Sequence, residues 1–421
     1  MRRLVGATGA VVALVLAVLT GCTAPGGSDD PRGAGAPGGA AGSGGSAGPG
    51  SSGGSSPRPT GVFGAAPRLP SSPALPGWSH SPGLARDGSG FALLAECREG
   101  EEAPEGGVCR QHVAVLDAGA KEWVLRRSPL PEVSSATGIS ANLLVLGPGR
   151  ALVEAGGAGP GDRTWFTRDG GRTWRAGDRR TVGTTPEIPV GAVLATDCPA
   201  PAGASVDDCA RTRVVVVSPQ DGRRRALARV PLLGAHPRPA ERQEPDGSWW
   251  VSGTDPLSGR AAVAVSRDAG RSWTVSRLPS PATGPGWYTA VAVGQDAVYA
   301  AEMGELTGGE PVKNPMRALH RSVDGGRTWQ RMWTTGPERE PRTLLGLPVP
   351  GPGGRVEIGG ELSGYGSGDG GRTFVRLGDG AHFTRRTPLG LLRETAPCRY
   401  ALTADGVRWS EFRLACEGEE S

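Results

Sequence analysis

Four octets in this 421-residue chain share one pattern. They are Thr167–Trp174 (TRDGGRTW), Ser266–Trp273 (SRDAGRSW), Ser322–Trp329 (SVDGGRTW) and Ser367–Phe374 (SGDGGRTF). Each reads Ser or Thr, any residue, Asp, any residue, Gly, Arg, Ser or Thr, then an aromatic ring. Short alternating apolar runs flank every copy, as AAVAV before Ser266 and WTVSRL from Trp273 onward. Alternation interrupted by D-G or D-A-G marks a β-hairpin, with the acidic side chain folded back onto the turn. Asp169, Asp268, Asp324 and Asp369 therefore build turns, Gly171, Gly270, Gly326 and Gly371 supply the tight backbone, and Trp174, Trp273, Trp329 and Phe374 pack between sheets.

The spacing extends the pattern to the rest of the chain. The interval from 167 to 266 is about twice the others, and Ser218–Arg225 (SPQDGRRR) lies midway after a VVVV run. Leu116–Trp123 (LDAGAKEW) and Thr403–Trp409 (TADGVRW) continue the period in both directions. A repeat of this length with about four strands per period predicts an all-β β-propeller of four-stranded blades. Seven hairpins give seven blades, with six or eight left open by the three weaker copies. No long stretch has helical periodicity.

The octets resemble the Asp-box, or bacterial neuraminidase repeat, found in sialidase-type propellers. The resemblance implies the fold and a structural role for the octets, which in sialidases lie on the face away from the active site. It does not by itself imply activity. A sialidase also carries an F/Y-R-I-P string, which this chain lacks; Ala66–Pro70 (APRLP) comes nearest, without the aromatic. Of its four tyrosines, Tyr365, with Glu361 nearby, is the one read as lying in a loop.

Composition sets the class. A net charge of +4 over this length implies no nucleic-acid partner. The five histidines are scattered without metal-ligand spacing, no phosphate-binding glycine loop occurs, and no metal or other cofactor is expected. The acidic cluster Glu96, Glu99, Glu101, Glu102 and Glu105 reads as a solvated loop.

The first 21 residues read as a secretion signal, with Arg2 and Arg3 before the apolar run Val11–Leu19. Leu19-Thr20-Gly21-Cys22 resembles the lipobox of bacterial lipoproteins, which implies lipidation of Cys22 and anchoring on the extracytoplasmic side of the membrane. Residues 22–60 are nearly all Gly, Ser, Ala and Pro and read as a flexible tether; the propeller is expected over 61–421. The six further cysteines of an exported chain imply disulfides. Placed on the repeat, Cys97 pairs with Cys109 and Cys198 with Cys209 across second-to-third strand loops, and Cys398 with Cys416 around the last hairpin.

The functional expectation is a monomeric binding module for a glycan or protein ligand, without catalysis of its own. A glycoside hydrolase of sialidase type and an assembly factor are the alternatives. The ligand face is placed opposite the octets, on loops 97–109, 198–209, 254–260, 304–315 and 361–366, with Trp287, Tyr288, Glu305, Glu310, Glu361 and Tyr365 as candidates. In each of the aromatic pairs Trp249-Trp250 and Trp287-Tyr288 one ring is expected in the core, with the other left open between core and a binding surface.

Overall fold

The computed structural model describes residues 63–98, 107–135, 139–155, 163–198, 209–279, 288–304, 315–336, 339–379 and 383–416. Cys22 and the tether, Glu99 to Glu105, Trp287, Glu305 and Glu310 lie outside them.

Seven sheets follow one another along the chain. The first runs, in sheet order, Trp78–Leu84, Gly90–Arg98, Val108–Leu116 and Val124–Arg126, with Val133–Ser134 paired to the start of its third strand. The second is Ala141–Gly147, Arg150–Ala155, Arg163–Thr167 and Arg175–Asp178. The fourth holds Arg238–Pro239, Trp249–Thr254, Ala261–Ser266 and Thr274–Arg277, and the fifth Tyr288–Val293, Val298–Met303, Met316–Ser322 and Gln330–Thr334. The sixth is Leu344–Pro350, Val356–Gly360, Ser363–Ser367 and Val375–Asp379, the seventh Phe383–Thr387, Gly390–Ala396, Arg399–Thr403 and Ser410–Arg413. Buried clusters join neighbouring sheets around the ring, such as Leu144, Phe166, Val193 and Val217 between the second and third. A cluster shared by Leu84, Ala92, Leu402 and Phe412 closes the seventh onto the first, where the Tyr400 hydroxyl donates to Ser79 O at 3.0 Å. The chain is a seven-bladed β-propeller.

Blade three departs from the pattern. Its hairpin strands Val193–Asp197, Arg213–Val217 and Arg224–Leu227 are antiparallel, but the fourth, Thr181–Thr185, adds in parallel to the outer edge. The chain that should form an inner strand is spent outside. Residues Ala240–Glu244 of the next blade occupy the inner position instead: Leu194 N donates to Glu241 O at 3.0 Å, and Arg242 reaches through to Val145 O of blade two.

All four octets are the turns between third and fourth strands, and the weaker copies stand at the same place in blades one, three and seven. In the sharpest copy, Asp324 accepts from Ser322 Oγ at 2.7 Å, Arg327 N at 3.0 Å and Thr328 Oγ1 at 2.6 Å. The same geometry recurs at Asp169, Asp268 and Asp369. The octet glycine and aromatic both touch the preceding blade. Gly326 has φ +86°, and a Cβ there would meet the Trp250 ring at 2.3 Å. Trp329 sets its ring edge to Trp250, centroids 6.2 Å apart, and donates to Ser276 Oγ at 2.9 Å. Phe374 meets Trp333 likewise, at 5.2 Å. The octets are therefore the joints between blades, which explains why Gly and an aromatic accompany the Asp.

The expected cysteine pairs are present. Cα atoms of Cys97 and Cys109 are 4.0 Å apart, those of Cys198 and Cys209 5.9 Å, and those of Cys398 and Cys416 5.2 Å. Around the last pair, Ser72 pairs with Leu414 and Trp78 with Cys416, so the start of the propeller grips its end.

Three expectations are corrected here. Trp249 and Trp250 are both buried, at 1% exposure, because alternation puts them on the two faces of a strand covered on both sides. Tyr365 lies in the third strand of blade six, half-buried against the Tyr299 and Ile358 cluster, and not in a loop. Glu96 is likewise in a strand, where it accepts from Arg98 and lies 3.1 Å from the His112 ring nitrogen.

Candidate functional site

Because the first strand of each blade faces the axis, the residues there decide what the channel holds. A cavity of about 330 Å³ lies on the axis. Six blades line it, through Ser81 to Leu84, Asn142 to Leu144, Arg238 to Arg242, Tyr288 to Val291, Leu347 and Arg385 to Pro388; blade three contributes nothing. This volume is at the lower end of that of small-molecule sites.

Glu244 and Arg386 form its floor. Their 2.7 Å ion pair joins blade four to blade seven, with side-chain exposures of 1% for Glu244 and 9% for Arg386. Glu244 also accepts from Val293 N of blade five at 2.9 Å. Burial outweighs the attraction of Arg386 and that hydrogen bond, and pushes the Glu244 carboxyl up to about 7.

Beyond this pair is a second cavity of about 270 Å³ that shares Glu244, Arg386, Thr387 and Pro388. Its other walls are turns of the octet end, including Gln243, Gly390 and Gly406, together with Phe63 to Ala65 and Pro67. Phe63 packs on the Trp250 and Val298 cluster, Leu69 joins the cluster of blades one and seven, and Trp123 Nε1 donates to Pro70 O at 3.1 Å. Thus residues 63–70 form a strap that covers the octet end of the channel.

The upper cavity is rich in guanidinium groups. Arg238, Arg242, Arg385 and Arg386 line it against Glu241 and Glu244. Arg242 is buried and donates to Val145 O; Arg385 opens onto the channel and donates to Pro82 O. Desolvation lowers both, Arg242 to about 10, where Glu241 opposes the shift and Arg385 adds to it. His80 behind them is held down at about 4 by burial and by Arg385. Burial raises the Tyr288 hydroxyl, with Arg238 opposing.

Of the sequence candidates, Tyr288 reaches this cavity. Glu361 is exposed on a turn of blade six and Tyr365 is on a strand away from the axis, so neither joins it. The channel arginines escaped the sequence reading because arginine is abundant throughout, leaving no local signal to single them out. The octet aspartates are occupied by their own turns: the Thr173 hydroxyl and amide hold Asp169 at about 2, and those of Ser272 hold Asp268 there too. Among the described residues, no group of three or more His, Cys, Asp or Glu is placed to hold a metal ion.

No protein-family model and no curated protein matches the chain. Among solved structures it is similar to a candidate 6-phosphogluconolactonase from Bacteroides uniformis, at 13% identity over 75% of this chain and 88% of that one, with a TM-score of 0.38. It is also similar to a GH74 xyloglucanase from Xanthomonas campestris, at 16% identity over 76% of this chain and 64% of that one, with a TM-score of 0.31. The sheet order of this chain establishes the propeller without help from likeness so distant.

Proposed function

We propose that this protein is an extracytoplasmic ligand-binding lipoprotein, anchored through Cys22 and without catalysis of its own. Its octets serve as Asp-box repeats that join the blades, and its ligand enters the axial cavity from the end opposite them. The observation that carries this reading is the closed floor: the Glu244–Arg386 pair and the strap over residues 63–70 leave a blind pocket rather than a pore. Support for a binding role over glycoside hydrolysis comes from the carboxylates. Glu244 is committed to Arg386 and Val293 N, which leaves Glu241 as the one unengaged acid lining the cavity among the described residues, where such hydrolysis ordinarily uses two.

The test compares the full-length protein with Asn142→Trp, which fills the cavity from an exposed position on its wall. Glycan-array and cross-linking capture should give a ligand that the variant loses at unchanged melting temperature, and neither protein should hydrolyse aryl glycosides. Retention of the ligand by the variant, or turnover by the wild type, would overturn the reading.

A further inference from the structure

We infer that the axial cavity is an oxyanion site, built to take a small ligand carrying a carboxylate or phosphate between Arg242, Arg385 and Arg238. This rests on the cavity being the binding site and adds the ligand's chemical class.

The argument is one of charge left over. Four arginines and two glutamates line the cavity, and one of each is spent in the Glu244–Arg386 pair. Of the remaining three arginines, none forms an ion pair with a carboxylate among the described residues. Arg242 and Arg385 each give one N–H to a main-chain carbonyl, Val145 O and Pro82 O, which orients the guanidinium without neutralising it. Glu241 attracts both and exposed Glu394 also attracts Arg385, but neither carboxylate forms an ion pair among the described residues. Arg242 is buried, and the charge of Arg385, which is exposed to the channel, further disfavours its own; such an arrangement is costly, and a protein ordinarily offsets it with a partner. Here the partner's place is open space that an anion can enter.

The surroundings favour an oxyanion in particular. A planar guanidinium presents parallel donors that match carboxylate or phosphate oxygens. The Tyr288 hydroxyl and the Asn142 amide line the same space and suit the neutral remainder of the ligand. Arg242 is available because blade three lacks an inner strand of its own and Ala240–Glu244 takes that place beside the axis.

The test is a thermal-shift titration of the full-length protein in detergent with inorganic phosphate, glucuronate and glucose, each against sodium chloride at matched ionic strength. Phosphate or glucuronate should raise the melting temperature saturably, by about 2 °C at ten times its dissociation constant. Glucose should not. A response to glucuronate alone assigns a carboxylate ligand, and a response to phosphate alone assigns a phosphorylated one. Arg385→Gln should abolish the shift. Without anion it should melt no lower than wild type, since it removes one of two facing charges and keeps a donor for Pro82 O. Arg242→Gln provides the second, buried probe. If neither anion exceeds the chloride control, or if both variants respond as wild type does, the oxyanion site is wrong. A neutral ligand lost on Asn142→Trp would refute the anion class while leaving the binding role intact.

Discussion

Glu244 of blade four and Arg386 of blade seven meet at 2.7 Å across the axis of the propeller. The pair divides the channel into an open upper cavity and a lower one beneath the strap. It fastens opposite sides of the ring in a region where side chains cannot interdigitate as they do between adjacent blades.

This pair makes stability depend on pH in a defined direction. Burial lifts the folded Glu244 pKa from 4.5 to about 7. Between those values the folded state keeps a proton that the unfolded chain has lost, so stability falls as pH rises through the window. Denaturant melts at successive pH should show this decline in the wild type and a flatter profile in Glu244→Gln. An equal slope in both would remove Glu244 from the account.

The octets predict the opposite trend at lower pH. Hydrogen bonds within the turns, against the opposing effect of burial, hold Asp324 at about 2. Its contribution is therefore present above the ordinary carboxylate range near pH 4 and is lost as pH falls toward 2. Asp324→Ala should cost about 2 kcal/mol at neutral pH, because several charge-assisted bonds go at once. Trp329→Ala, which empties half-buried space beside Trp250, should cost about 2–4 kcal/mol. Ligand affinity of the folded fraction should survive both changes. A stable Asp324→Ala protein that no longer binds would relocate the site to the octets.

The Cys398–Cys416 link should be worth about 2–4 kcal/mol. Beyond it, Leu414 and Cys416 pair with Ser72 and Trp78, so its loss frees both ends of the ring together. Cys398→Ser/Cys416→Ser should lower the melting temperature and speed proteolysis at residues 63–75. Protection unchanged at those residues would argue against a coupled closure.

Lipidation remains a proposal that one variant decides. Cys22→Ala should leave the protein soluble or unprocessed, without the mass of a diacylglyceryl group. If membrane association and mass persist, the anchor is elsewhere.

The sequence by itself determined the repeated hairpins and placed the cysteine pairs on them. Turn chemistry and period-two alternation act within a few residues, and the octet repeats them often enough to favour seven blades, though decay at 116, 218 and 403 leaves six or eight open and only the sheets decide the number. The second ring of Trp249-Trp250 stayed open between core and surface because alternation cannot tell a strand with one covered face from one with two. Tyr365 failed because a glycine-rich run, SGYGS, forms a strand when its neighbours pair on both sides. The cavity was decided by tertiary structure alone. Its wall takes a few residues from each of six separate blades, and Arg242, Glu244, Arg385 and Arg386 acquire their meaning only when the ring closes. Nothing local distinguishes them from other charged residues; burial at a shared axis does.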